Sequence, residues 1–200
     1  MIKIAKQKIV DVNKEVVAYE VLYRDGNHEL GVDDNDKITL DVIVASFLQV
    51  GYSNMVQNKE KLAFNFTNGN LLKNIADTVL PENVILEILE TVEFDSDLTV
   101  TLKELKEKGF TIALDDFKVD LVEDKNIYKY VDIIKVDFLD STVEDRANIE
   151  NLKKEFPHLV LLAEKIEDEE QYLSALNSGY SLFQGYFISK PELIDVSVYN

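Results

Sequence analysis

Asn83-Val84-Ile85-Leu86-Glu87-Ile88-Leu89-Glu90, a helical stretch over 96–108 closed by Gly109, and Phe110-Thr111-Ile112-Ala113-Leu114-Asp115-Asp116 form the run that decides the fold. Two short segments, nearly continuous in apolar residues, flank one helix. Such strands belong to a parallel sheet buried on both faces. Each of them also ends in carboxylates.

The same unit recurs in both directions. Upstream, 61–66 reads as a strand and 69–78 as a helix. Downstream come a short helix near 121–130, a strand at 132–137, a helix over 142–156, a strand at 158–163, a helix over 168–178 ending at Gly179, and a last strand at 181–184. At the N-terminus, 2–10 and 15–23 read as strands around the turn Asp11-Val12-Asn13-Lys14, followed by a helix over 38–50 that Gly51 terminates. Counting both strands of that hairpin gives eight, and a small (β/α)8 TIM-like barrel with an N-terminal β-hairpin fits. An open doubly wound sheet is the alternative. No boundary divides the chain, so 1–200 reads as a single domain.

Composition narrows the function. Lys+Arg number 21 and Asp+Glu 38, a net charge of −17. That balance repels nucleic-acid polymers and anionic membranes, although helix N-termini or a metal ion can still hold a small phosphate. There is no cysteine, and the two histidines, His28 and His158, have no ligand spacing. Disulfides, thiolate catalysis and thiolate zinc sites are excluded. The N-terminus has no apolar signal region, and the expected location is cytoplasmic.

Polar residues recur where strands end. Glu20, Asn65, Glu87 with Glu90, Asp115 with Asp116, Lys135 with Asp137, Glu164 with Glu167, and Gln184 all stand at or near such a position. Singly, each has an ordinary reading: an N-cap for Asp115 or Asp116, a turn for Asn65, a snorkelling or ion-paired lysine for Lys135. Together they would converge on the C-terminal face of a barrel, where barrel active sites lie. The set is rich in oxygen and lacks His and Cys, which suits Mg²⁺ or Mn²⁺ over Zn²⁺. It supplies enough oxygen for two metals, a standard device for displacement at phosphorus, with a lysine to steady charge or position water. The residues alone therefore point to metal-dependent phosphate-ester chemistry.

At these positions the chain resembles the EAL domain family of bacterial cyclic-di-GMP phosphodiesterases. The motifs are Tyr19-Glu20-Val21-Leu22-Tyr23-Arg24, Phe64-Asn65-Phe66-Thr67, Leu86-Glu87-Ile88-Leu89-Glu90, Ala113-Leu114-Asp115-Asp116-Phe117, Ile134-Lys135-Val136-Asp137, Ala163-Glu164-Lys165-Ile166-Glu167, and Gln184-Gly185-Tyr186-Phe187 with Lys190-Pro191. The resemblance implies a barrel of EAL type and hydrolysis of cyclic-di-GMP to linear pGpG. It implies Glu20, Asn65, Glu87 and Asp115 as metal ligands, with Asp116 at a second metal. Lys135 would orient or activate the attacking water, Gln184 would help hold it, and Glu164 would contribute to the metal and water site. Arg24 would pair with a substrate phosphate, for which its fork suits. Glu90 would anchor a mobile loop. Read from the residues alone, Tyr186 and Phe187 are an aromatic pair for either of two roles, stacking a guanine, with Tyr186 the candidate, or packing in the core at a strand end.

Three departures stand out: Val21 in place of alanine, Lys118 in a loop that in active members is rich in glycine, and Lys165 where active members usually have glycine. The variant wording is similar to the EAL half of EAL–HDOD regulatory proteins, in which that half is often thought weak or silent. A homodimer and an HDOD domain are therefore candidate partners beside cyclic-di-GMP. The alternative function is a silent module that binds the dinucleotide or a protein.

Overall fold

The computed structural model describes residues 3–24, 32–67, 72, 74–75, 77–119, 122 and 124–196. Strands β1 (Ile4–Asp11) and β2 (Val16–Tyr23) form the expected hairpin. The Asp11 carboxylate accepts from the backbone N–H of Asn13 at 2.8 Å and of Glu15 at 2.9 Å, which locks the turn. The chain continues through β3 (Lys61–Phe66), β4 (Val84–Ile88), β5 (Thr111–Leu114), β6 (Ile133–Asp137), β7 (Val160–Glu164), β8 (Leu182–Phe183) and β9 (Glu192–Ile194).

Strands β2 to β8 are neighbours in chain order and run parallel. Strand β1 is antiparallel to both β2 and β8 and so closes the sheet into an eight-stranded barrel. This excludes the open doubly wound sheet. The hairpin is thus the closing device of the barrel. β9 is a strand that the sequence reading did not include: three residues pair with the start of β1, Ile194 opposite Ile4 and Glu192 opposite Lys6.

Helix α1 (Val32–Val44) starts six residues before the expected 38 and passes into a π-helical turn over Ala45–Val50. Within the wide turn, the buried Ser46 hydroxyl donates to the Val42 carbonyl at 2.8 Å, a back-bond that bends helices. A one-turn helix, α2 (Tyr52–Met55), follows.

Helices α3 (Ser96–Glu107), α4 (Val143–Glu155) and α5 (Glu169–Asn177) match expectation within a few residues. Each is capped by an oxygen side chain: Asp95 on Leu98 N–H, Thr142 on Asp145 N–H, and Asp168 on Gln171 N–H. The acidic run from Glu167 to Glu170 is thereby the cap and first turn of α5. Beyond α3, Gly109 takes φ 90°, and Phe110 N–H reaches back to the Leu105 carbonyl at 3.1 Å.

The helix expected near 121–130 is a 3-10 helix over Lys125–Tyr130, capped by Asp124, and residues 120, 121 and 123 lie outside the described residues. Of the helix expected over 69–78, residues 72, 74 and 75 are helical, 77 and 78 form a turn, and 69–71, 73 and 76 lie outside the described residues.

The side chains divide by the period of two. Outward positions such as Leu86, Ile88, Ile112, Leu114, Ile134, Val136 and Leu161 join the large core beneath the helices. Inward positions form a second, smaller cluster: Ile9, Ala18, Ala63, Ile85, Ala113, Ile133 and Leu162. Alanines and branched residues share this narrow layer. This apolar plug lies below the candidate site, and a hollow of about 570 Å³ that it lines extends as far as Glu87.

Candidate active site at the C-terminal mouth of the barrel

Two residues beyond the plug on every parallel strand, the next inward position is polar. Ala18 leads to Glu20, Ala63 to Asn65, Ile85 to Glu87, Ala113 to Asp115, Ile133 to Lys135, Leu162 to Glu164 and Leu182 to Gln184. The antiparallel β1 completes the ring from Ile9 back to Gln7, which lies opposite Glu20. The sequence reading did not include Gln7, because it looked for polar residues at strand ends and β1 runs the other way. The period of two counted from Ile9 was the signal that could have found it.

Lys135 is fully buried at the centre. Its Nζ lies 2.6 Å from Asp115 Oδ1, 3.0 Å from Glu87 Oε2, 3.0 Å from Glu164 Oε1 and 3.8 Å from Glu20 Oε1. Amides orient the outer part of this network. Asn65 Nδ2 donates to Glu20 Oε1 at 3.0 Å, and Gln184 Nε2 donates to Glu20 Oε2 at 2.6 Å. Gln184 also approaches Gln7 Oε1 at 3.4 Å, and Gln7 Nε2 donates to the Ser189 carbonyl at 3.0 Å. The C-terminal segment is thereby tied to the ring.

The electrostatics follow from one ammonium among four carboxylates. Burial alone would lower the Lys135 pKa, but Asp115, Glu164, Glu20 and Glu87 outweigh it and hold it well above the ordinary lysine range. Burial pushes the Glu87 carboxyl up to about 8 against the pull of Lys135, with Glu20 and Asp115 adding to the rise. Glu164 rises well above the usual carboxylate range for the same reasons, burial first. Asp116 is raised by burial and by Asp115 beside it. The network carries more negative charge than one lysine can compensate.

That excess suits a hard cation. Oxygens of Asp115, Asp116 and Glu164 lie within 4.8 Å of one another. Asn65 Oδ1, Asp116 Oδ1 and Gln184 Oε1 are buried acceptors without a hydrogen-bond donor. Buried acceptors of this kind are costly unless they are partnered. An all-oxygen donor set of carboxylates and amides is the chemistry that Mg²⁺, Mn²⁺ and Ca²⁺ prefer.

The mouth above the ring is a cavity of about 370 Å³, lined among others by Glu20, Arg24, Asp115, Asp116, Glu164, Lys165, Gln184 and Tyr186. Arg24 and Tyr186 therefore sit on the wall of the cavity whose floor carries the carboxylates. The two aromatics of the last motif part company. Tyr186 is 60% exposed at the mouth, whereas Phe187 packs on Tyr172 with ring centroids 5.8 Å apart. Glu90 stands apart, exposed, in a neighbouring hollow shared with Asp116, Phe117, Lys118, Asp137 and Asp140.

Left-handed backbone occurs at two non-glycine positions of the site, Asp116 with φ 42° and Lys165 with φ 54°. The glycine-like conformation thus falls on Lys165, while Lys118 keeps ordinary backbone. Lys165 Nζ donates to Asp137 Oδ2 and lies 3.6 Å from Asp116 Oδ2. His158, by contrast, is structural, with Nε2 2.9 Å from the Tyr128 carbonyl oxygen.

A family model described as the EAL domain matches residues 57–191. The uncharacterized protein YuxH of Bacillus subtilis is 35% identical over 196 residues, 96% of this chain and 47% of YuxH. A protein named cyclic di-GMP phosphodiesterase CdgJ, from Vibrio cholerae, is 30% identical over 194 residues, 96% of this chain and 44% of CdgJ. The chain spans about half the length of these curated relatives. Among solved structures, Klebsiella pneumoniae BlrP1 in a manganese and cyclic-di-GMP complex superimposes with a TM-score of 0.74 at 23% identity, over 96% of this chain and 56% of that one. With the barrel, the polar ring and a family model covering two thirds of its length, the chain belongs to the EAL domain family.

Proposed function

We propose that the chain is a divalent-metal-dependent phosphodiesterase that hydrolyses cyclic-di-GMP to linear pGpG. The single observation that carries this reading is the closed inward ring of Glu20, Asn65, Glu87, Asp115, Lys135, Glu164 and Gln184 at one end of the barrel, with Arg24 and Tyr186 on the wall above it. The name of the relative CdgJ and the ligands of the BlrP1 structure support the choice of substrate and of manganese or a similar ion.

Glu20, Asn65, Glu87 and Asp115 would hold the cation, with Asp116 beside them. The cation would offset phosphate charge and acidify an attacking water. Lys135, kept protonated by its carboxylates, steadies developing negative charge and donates hydrogen bonds; it cannot accept a proton in that state. Glu164, 3.0 Å from Lys135 and on the wall of the cavity, would contribute to the metal and water site. Gln184 fixes Glu20 and presents Oε1 to the site. Arg24 pairs with a substrate phosphate through its fork, and Tyr186 offers an exposed ring to a guanine. Homodimerisation and a companion HDOD domain belong to the same reading, and light scattering tests the first.

The test is a chromatographic time course of cyclic-di-GMP with excess Mn²⁺. The wild-type chain should form pGpG over many turnovers. Glu20→Ala should lose at least about 100-fold, the scale seen when an oriented charged group is removed from an active site. Binding of intact cyclic-di-GMP with no product would instead mark a silent sensor and overturn the enzymatic reading.

A further inference from the structure

We infer that Lys165 supplies, from within the chain, the positive charge at the Asp116 and Asp137 side of the site, so that the site takes one divalent cation rather than two. The inference rests on the metal-dependent reading above and replaces the two-metal expectation drawn from the sequence.

The oxygens beside Lys165 are already committed. Asp137 Oδ1 accepts from the backbone N–H of Leu139 at 2.7 Å and of Asp140 at 3.1 Å. Asp137 Oδ2 accepts from Lys165 Nζ. Both oxygens of Asp137 are therefore used. The same ammonium lies 3.6 Å from Asp116 Oδ2, leaving only Asp116 Oδ1 facing the ring without a donor. A lysine ammonium is a compact point charge with three donors, able to sit between two carboxylates as a small cation does.

The backbone holds the ammonium there. Lys165 occupies a left-handed conformation, φ 54°, that disfavours any side chain beyond glycine, asparagine or aspartate. The neighbouring segment is clamped. Ile166 N–H donates to the Gln184 carbonyl at 3.1 Å, and Phe187 N–H donates to the Ile166 carbonyl at 3.0 Å. Gly185 approaches so closely that a Cβ there would lie 2.2 Å from the Ile166 backbone nitrogen and oxygen. A strained residue pinned by its neighbours is a mark of function. Here the side chain that results from the strain points its charge at two carboxylates.

The ring divides accordingly. On one side, Glu20, Glu87, Asp115 and Glu164 share the single charge of Lys135, with Asn65 holding Glu20. On the other, Asp116 and Asp137 share Lys165 and have little left to attract a second ion. Asp115 stands next to Asp116 in the chain and joins the two halves.

The experiment counts ions and does not depend on turnover. Mn²⁺ is titrated into the metal-free chain, with and without cyclic-di-GMP, and free Mn²⁺ is read by electron paramagnetic resonance. The wild type should bind one Mn²⁺ per chain. Lys165→Gly, which suits the left-handed backbone and so preserves the fold, should bind two, and Lys165→Met should do the same by removing the charge alone. Lys165→Arg should stay at one. Two ions in the wild type, or one in both Lys165→Gly and Lys165→Met, would overturn the inference while leaving the metal-dependent reading intact. No ion in the wild type would overturn that reading and the inference with it.

Discussion

Lys135 carries one positive charge into the middle of Asp115, Glu87, Glu164 and Glu20. Removing it leaves buried carboxylates with no counter-charge, a change that typically costs about 3–5 kcal/mol. Lys135→Met should therefore destabilise the metal-free chain by about that amount in urea titration, and Mn²⁺ should restore part of it by occupying the ring. A loss below about 1 kcal/mol would show that the lysine is not the charge that holds the ring together. Much of this was legible in the sequence, because a carboxylate, amide or lysine at the end of one strand after another has no ordinary collective explanation. Gln7 was not, since its strand runs antiparallel and its polar residue sits in mid-strand. Lys165 was visible as a departure from a glycine, but its partners were not: Asp137 lies 28 residues away in sequence and meets it only because β6 and β7 pair with Asp137 opposite Glu164.

At the scale of elements, the junction of β7 and β8 sets the site's geometry. Gly185 has φ 151° and no room for a Cβ, which would lie 2.2 Å from backbone atoms of Ile166. Gly185→Ala should push the two exits apart, lower stability by about 1–3 kcal/mol as overpacking does, and weaken Mn²⁺ binding because Gln184 and Lys165 both move. Unchanged melting and unchanged Mn²⁺ affinity would contradict this. Elements with strong punctuation were readable: α3 and α5 end at Gly109 and Gly179, and α4 carries a full capping box between Thr142 and Asp145. Those whose form depends on distant partners were not. β9 has three residues and is defined by its pairing with β1. The segment over Lys125–Tyr130 is drawn into a 3-10 helix that buries Ile127 and Tyr128. The π turn after α1 depends on where Ser46 finds its acceptor.

At the scale of the molecule, the barrel is a two-layer interior: an apolar plug and, two residues further along each strand, a polar ring. The outer layer of helices buries the alternate residues of the same strands, so stability and chemistry are written on opposite faces of one sheet. The eight barrel strands and the parallel run of β2 to β8 followed from the alternation of segments, whereas β9 did not. Closure was expected too, but not its device, the antiparallel contacts of β1 with both β2 and β8. Among the described residues no helix is long and apolar enough to cross a membrane. The overall charge of −17 disfavours the approach of an anion to the mouth, and a bound cation would offset that. The most direct test of the account is anomalous diffraction from crystals of the chain grown with Mn²⁺ and cyclic-di-GMP. The account predicts a manganese peak within coordination distance of oxygens of Glu20, Asn65, Glu87 and Asp115, with the dinucleotide against Arg24 and Tyr186. Manganese bound only to carboxylates on the outer surface, with the ring empty, would contradict it.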